Sequence, residues 1–140
     1  LETRGNVAMS ANFGYELDLN ALSQQELDVV KEQIARYKEI RDTVQNGTFY
    51  RIKNPFEGNL AQWNFVSQDK NHVVAFHFEI LSQPAAPVQL LKLKGLEADA
   101  LYRDVDRGTV YGGDELMYAG ISIPLKKQDF RSECYRFEKV

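Results

Sequence analysis

Residues 23–47, SQQELDVVKEQIARYKEIRDTVQNG, are the longest periodic run in the chain, and their reading divides it in two. Apolar positions Leu27, Val30, Ile34, Tyr37, Ile40 (or Arg41) and Val44 recur at steps of three and four, which makes one stripe on an α-helix. Asp28, Lys31, Glu32, Lys38, Glu39 and Asp42 occupy the other side. Ser23 and Glu26 have the spacing of a capping box, and Leu22 and Leu27 that of a hydrophobic staple. Glu32 precedes Arg36 by four residues, a favourable but small pair. Asn46–Gly47 predicts a left-handed C-terminal cap. A helix with one apolar stripe has one wall to pack on, so this is foremost a core-packing helix.

Working outward, the two flanks differ in character. Residues 1–11, LETRGNVAMSA, are weakly helical, and in residues 12–18, NFGYELD, the alternation of Phe13, Tyr15 and Leu17 predicts a short strand. Helix remnant, short strand, loop and long helix is the rhythm of a β/α repeat, and one such repeat cannot bury its own faces. After Gly47 the period changes to two. Residues 48–53, 62–67, 72–80, 90–93, 101–105, 109–111, 121–125 and 133–139 read as short strands separated by turn signals. Gln68–Asn71 is a four-residue hairpin loop, Asp106–Gly108 a turn, and Gly112–Met117 a turn entering a short helical piece. The expected fold is therefore mainly β: an antiparallel β-sandwich of about eight strands (residues 48–140), preceded by one long α-helix and a short strand (residues 1–47).

Composition bounds the function. The 140 residues carry a net charge of −3, 44% hydrophobic and 26% charged residues, values ordinary for a globular domain. The acidic balance argues against nucleic-acid partners, and no apolar run has the length of a membrane span. The single Cys134 allows no internal disulfide and fits a reducing, cytoplasmic compartment. The first residue is Leu1 rather than methionine, as expected of part of a larger protein, so the lack of a leader pattern says little about the parent.

Candidate chemistry is sparse. His72 and His77, five apart on one strand, fall on opposite faces and form no metal set. Asp104, Asp106 and Glu115 match positions 1, 3 and 12 of a calcium loop, but Gly108 and Thr109 stand where an oxygen ligand and a glycine are required. Cys134 has no glycine-rich elbow or helix start to activate it. Asp104/Asp106 and Asp114/Glu115 are turn acids, and Gly112-Gly113-Asp114 puts an acid where a phosphate would sit. Trp63, Tyr50, Tyr102, Tyr111 and Tyr118 could stack on sugar, although aromatics on sandwich strands are more often core. Asn46-Gly47-Thr48 matches a glycosylation acceptor, a match the helix cap already explains. No catalytic, substrate-binding or metal residue is assigned, and no cofactor is implied.

Three blocks carry a resemblance: LETRGNVAMSANFGYELDL, KEQIARYKEIRDTVQNGTFYRI and YGGDELMYAGI. In this order and spacing the chain resembles the C-terminal end of bacterial α-galactosidases of glycoside hydrolase family 36. The resemblance covers nearly the whole chain, and the third block is its least specific part. It implies an enzyme with an N-terminal β-supersandwich, a central (β/α)8 barrel and a C-terminal antiparallel β-domain. Residues 1–11 would then be the tail of the seventh barrel helix, Phe13–Leu17 the eighth strand, Ser23–Asn46 the eighth helix, and Thr48–Val140 the sandwich. It implies a retaining two-carboxylate hydrolysis of terminal α-galactosides of the melibiose and raffinose type, with both catalytic aspartates on earlier barrel strands. Neither motif occurs here, so the chain itself is expected to be inactive. Tyr15 and Glu16 would lie on the face where barrels build their sites. The implied partners are the rest of the enzyme, its substrate through that enzyme, and further copies in a homo-oligomer. Two other functions stand beside this one: a carbohydrate-binding β-sandwich module, and a structural module making oligomer contacts.

Overall fold

The computed structural model describes residues 1–140. In chain order the elements are α1 (Glu2–Met9), α2 (Gln24–Asn46), β1 (Thr48–Lys53), β2 (Leu60–Val66), β3 (His72–Glu79), β4 (Gln89–Leu91), β5 (Leu101–Asp104), β6 (Val110–Gly112), β7 (Ile121–Ile123) and β8 (Arg131–Lys139). A short 3-10 turn at Leu19–Ala21 precedes α2, and a single π-helical turn, Glu115–Ala119, precedes β7. All strand pairs are antiparallel. Six strands form one sheet in the order β1-β2-β3-β8-β5-β6, and β4 and β7 form a second, two-stranded sheet.

The alternation of β3 explains the layering. Val74, Phe76 and Phe78 point to one side, where they pack with Ala61 and Phe65 of β2, Cys134 of β8, and Met9, Ile40 and Val44 of the two helices. Val73 and Ala75 point to the other side and join Val66, Tyr135 and Phe137 under Leu91, Ile121 and Ile123 of the small sheet. The large sheet is thus covered by helices on one face and by the small sheet on the other. Phe76, fully buried at the centre of the helix-facing cluster, is one of several side chains each contributing about 1.5–3 kcal/mol by burial.

The capping box of α2 is formed. Ser23 Oγ accepts from the Glu26 amide at 3.3 Å, and Glu26 Oε2 accepts from the Ser23 amide at 2.9 Å. The C-terminal cap differs from expectation. Gly47 has φ −79° and ψ 176°, extended rather than left-handed. Glycine stands there because the chain leaves α2 directly into β1, and a Cβ would lie 2.6 Å from the Val66 carbonyl oxygen and press on that of Thr43. Val30, Ile40 and Val44 of the expected stripe are buried, joined by Gln33 and Thr43 from the neighbouring row. Gln33 is buried while its neighbour Ile34 is about one-third exposed.

Residues 12–18 do not form the expected strand. A strand persists only with a hydrogen-bonding neighbour, and none of the eight strands pairs with this segment. Its aromatic residues fold back on α2 instead. Phe13 stacks on Tyr37 at 5.0 Å between ring centroids, with Tyr15 edge-on at 5.1 Å, and Tyr15 donates its hydroxyl hydrogen to Gln33 Oε1. The weakly helical start does form a helix, α1. It is fastened to β8 by a buried Asn6 Nδ2 to Ser132 Oγ hydrogen bond of 2.8 Å. The eight expected strands are all present, with ends shifted by up to a few residues.

Candidate functional site

The acids singled out in the sequence are held in turns. Asp104 Oδ1 accepts from the Asp106 and Arg107 amides at 2.9 and 3.0 Å, and its other oxygen pairs with Arg107 at 3.1 Å. This is an Asx turn closing the β5–β6 hairpin. Asp106 accepts from Arg136 Nε at 3.2 Å, and Arg36 lies 3.5 Å away. The Arg136 hydrogen bond holds the Asp106 carboxyl below its ordinary range. Arg136 also pairs with Glu39, so one guanidinium ties β8 to α2 and to the β5–β6 turn. Asp114 caps the π-turn by accepting from the Glu115 amide at 2.8 Å, and Glu115 accepts from the Gly112 amide at 3.3 Å. Each of these carboxylates is engaged with its own turn or a neighbouring arginine.

Cys134 and the two histidines do not come together either. Cys134 is buried in the helix-facing core, and burial pushes its thiol up to about 12, so it is a thiol rather than a thiolate at neutral pH. His72 is exposed at the start of β3, and His77 is fully buried on the opposite face. The aromatics considered for sugar stacking do not come together. Tyr102 is fully buried in the core beneath the small sheet, with Tyr50 and Tyr111 packed at its margin. Trp63 packs on Phe78 at 4.8 Å on the other side of the sheet, and Tyr118 stands alone and exposed on the π-turn. Tyr15 is tied to Gln33, and Glu16 is exposed.

The structure brings together a set that the sequence reading left unassigned. Beneath one end of the small sheet, the inward face of the large sheet turns from apolar to polar. Gln62, His77 and Glu133 lie side by side across β2, β3 and β8, and the next row is Leu60, Glu79 and Arg131. Gln62 and His77 are fully buried, and Glu79 and Arg131 nearly so. Gln62 Nε2 donates both to the Leu90 carbonyl at 3.3 Å and to His77 Nδ1 at 3.0 Å, which leaves the imidazole proton on Nε2. Burial, together with the neighbouring Arg131 charge, lowers the His77 pKa to about 4. Glu79 pairs with Arg131 at 3.6 Å and accepts from Gln89 at 3.4 Å. A groove of about 490 Å³ opens beside this set, lined in part by Gln62, Glu79 and Gln89. The legible signal was Gln62 and His77 at inward positions of otherwise apolar strands. Only the register shows that they face each other.

A second cleft, of about 460 Å³, lies between α1, α2 and the start of β8, with Gln33, Arg36, Arg107 and Glu133 among its walls. Arg36, Asp106, Arg107 and Glu133 in its walls are each paired within the chain. No helix is long and apolar enough to cross a membrane.

Comparison with known proteins gives two family matches along the chain: "Melibiase" over residues 1–47 and "Glycosyl hydrolase family 36 C-terminal domain" over residues 60–137. Alpha-galactosidase AgaA of Geobacillus stearothermophilus is 49% identical over all 140 residues, which span 19% of its length. Alpha-galactosidase Mel36A of Lactobacillus acidophilus is 38% identical over 138 residues, 99% of this chain and again 19% of the relative. The crystal structure of AgaA superposes with a TM-score of 0.96 at 49% identity, covering 99% of this chain and 19% of that one. The chain therefore spans about a fifth of the length of these relatives. Since the C-terminal-domain description covers more than half of its residues, the chain belongs to glycosyl hydrolase family 36.

Proposed function

We propose that this chain is the carboxy-terminal portion of an α-galactosidase that hydrolyses terminal α-galactosides of the melibiose and raffinose type with retention. In this reading residues 1–47 are a remnant of the last β/α units of a (β/α)8 barrel, and residues 48–140 are an accessory β-sandwich that braces it. The observation that carries the reading is the collinear likeness of the whole chain to one end of much longer α-galactosidases, at 49% identity with a TM-score of 0.96. A solved relative, AgaA bearing two substitutions, is described in complex with raffinose.

The site geometry supports a non-catalytic role for the chain itself. A retaining glycosidase needs two carboxyl groups flanking the sugar about 5–5.5 Å apart, one of them free to attack. The paired acids here are engaged in an Asx turn, a π-turn cap and arginine pairs. The rest of the enzyme supplies the nucleophile, the acid/base group and the substrate pocket, and works as a cytoplasmic homo-oligomer. The test is turnover of an aryl α-galactoside by the purified 140-residue chain and by the complete enzyme. The complete enzyme turns over and the chain does not. Hydrolysis by the chain alone overturns the assignment of roles, and an inactive complete enzyme overturns the activity.

A further inference from the structure

One nitrogen of Gln62 serves two partners. Its Nε2 donates to the Leu90 carbonyl of β4 at 3.3 Å and to His77 Nδ1 of β3 at 3.0 Å. The first bond ties the small sheet to the large one. The second requires that Nδ1 carry no proton. Gln62 and His77 are fully buried, and Gln62 Oε1 has no partner in the chain. The end of β4 that Gln62 holds is its peripheral one. Leu90 is 41% exposed and the preceding Val88 65%, whereas Leu91 is 0% exposed within the core. A further bond at this end, from Gln89 to Glu79, is 3.4 Å long.

A proton taken from solvent onto Nδ1 makes both ring nitrogens donors. Gln62 Nε2 and His77 Nδ1 then meet donor to donor inside the buried rows. Turning the carboxamide over offers Oε1 to the new N–H. The same turn sets Oε1 against the Leu90 carbonyl, two acceptors with no hydrogen between them. Only one of the two bonds can survive, and the one to the charged imidazolium is the stronger. We propose that Gln62 is an acid-released latch: protonation of His77 turns its carboxamide, frees the Leu90 end of β4 from the large sheet and widens the groove between them.

The surrounding charges keep the latch closed at neutral pH. Arg131 and Glu133 face His77 from β8, Lys53 from β1, and Glu79 lies two residues along β3. Lys126, after β7, reaches Glu133 at 3.0 Å, and Lys92, after β4, stands exposed in the groove wall. The strands β2 and β4 bring no charged residue. Burial, Arg131 and Lys53 oppose the proton and Glu133 favours it, which leaves the imidazole with a pKa of about 4.

The experiment is NMR of the ¹⁵N-labelled 140-residue chain from pH 7 to pH 3.5. The His77 ring nitrogens report its protonation, and the Gln62 side-chain NH₂ signals should move with the same midpoint. Over this range the hydrogen-exchange protection of the β4 and β7 amides, corrected for intrinsic exchange, should fall about tenfold more than that of Val74–Phe76 in β3. That is the factor expected for one lost hydrogen bond. His77→Gln should keep its β4 protection in acid. Gln62→Met should show the lowered protection already at pH 7, with no further fall. The wild-type titration and His77→Gln decide the matter even where Gln62→Met does not fold. Gln62 signals that stay fixed while His77 titrates, an equal loss of protection in both sheets, acid loosening of β4 in His77→Gln, or full protection at pH 7 in Gln62→Met each overturns the proposal.

Discussion

His77 gives the chain an acid sensitivity that can be sized from the structure. Its imidazole is fully buried between Gln62 and Glu133, with Arg131 and Lys53 the nearest cations. In the unfolded chain it titrates near 6.5, and in the folded chain near 4. The folded pKa is depressed, so above pH 6.5 both states are neutral and His77 contributes no pH dependence. Between pH 6.5 and 4 the unfolded chain takes up a proton that the folded chain refuses, and stability falls as the pH falls. Each pH unit in that window removes about 1.4 kcal/mol, or about 3 kcal/mol in all by pH 4. For a chain of this size that corresponds to a Tm lower by about 10 °C. The assay is thermal unfolding by circular dichroism from pH 8 to pH 4, on the wild type and on His77→Gln. The glutamine can keep an acceptor for Gln62 Nε2 but does not titrate. Groups that do not interact with His77 contribute equally to both curves and cancel in the difference. The wild type should lose stability relative to the variant across this window and level off near pH 4. Parallel curves would refute the reasoning, since they would mean that His77 is hydrated and ordinary.

Two further outcomes follow from close packing. Cys134 is 8% exposed and its thiol is pushed up to about 12, so a thiol reagent at pH 8 should label it only as fast as the chain opens. Labelling of the native chain at the rate of free cysteine contradicts its placement under the helices. Gly47→Ala should destabilise by about 1–3 kcal/mol in urea unfolding, because the added methyl meets the Thr43 and Val66 carbonyls. A gain of about 0.4–1 kcal/mol, as for a glycine whose only effect is on the unfolded chain, means those backbones are not in contact.

Much of the fold was legible because period and turn chemistry are local. The Ser23–Glu26 capping box, the change from period 3.6 to 2 at Gly47, and the turns at Gln68–Asn71 and Asp106–Gly108 all stand in the structure. The departures share one cause: partners distant in sequence. Phe13–Leu17 alternates as a strand does, but without a neighbouring strand its rings settle on Tyr37 instead. Gln33 is buried in place of Ile34 because it spans from the Leu1 carbonyl, 3.3 Å from its Nε2, to the Tyr15 hydroxyl. Gly47 carries the signal of a left-handed cap, yet contact with the Val66 carbonyl from β2 fixes its identity. The polar rows were hidden for the same reason. Gln62 and Glu133 are 71 positions apart, and only the β2–β3–β8 register puts both beside His77.

The two faces of the large sheet are closed by different means, and this bears on how the helices stay attached. The helix-facing side is fastened by apolar packing on Phe76, by the Asn6–Ser132 hydrogen bond, and at its rim by Arg136 bridging Glu39 and Asp106. The rim pairs are partly exposed and worth little individually. The buried apolar cluster and the Asn6–Ser132 bond therefore carry most of the attachment, and high salt should loosen it only slightly. The opposite side is apolar under Leu91 and Ile123 but polar under Gln89, where the Gln62 and Gln89 carboxamide oxygens lack partners. Leaving a buried polar group unpaired costs about 1–3 kcal/mol. An apolar residue at position 62 would in turn leave His77 Nδ1 and the Leu90 carbonyl without their donor, so the carboxamide is held there by what its nitrogen reaches.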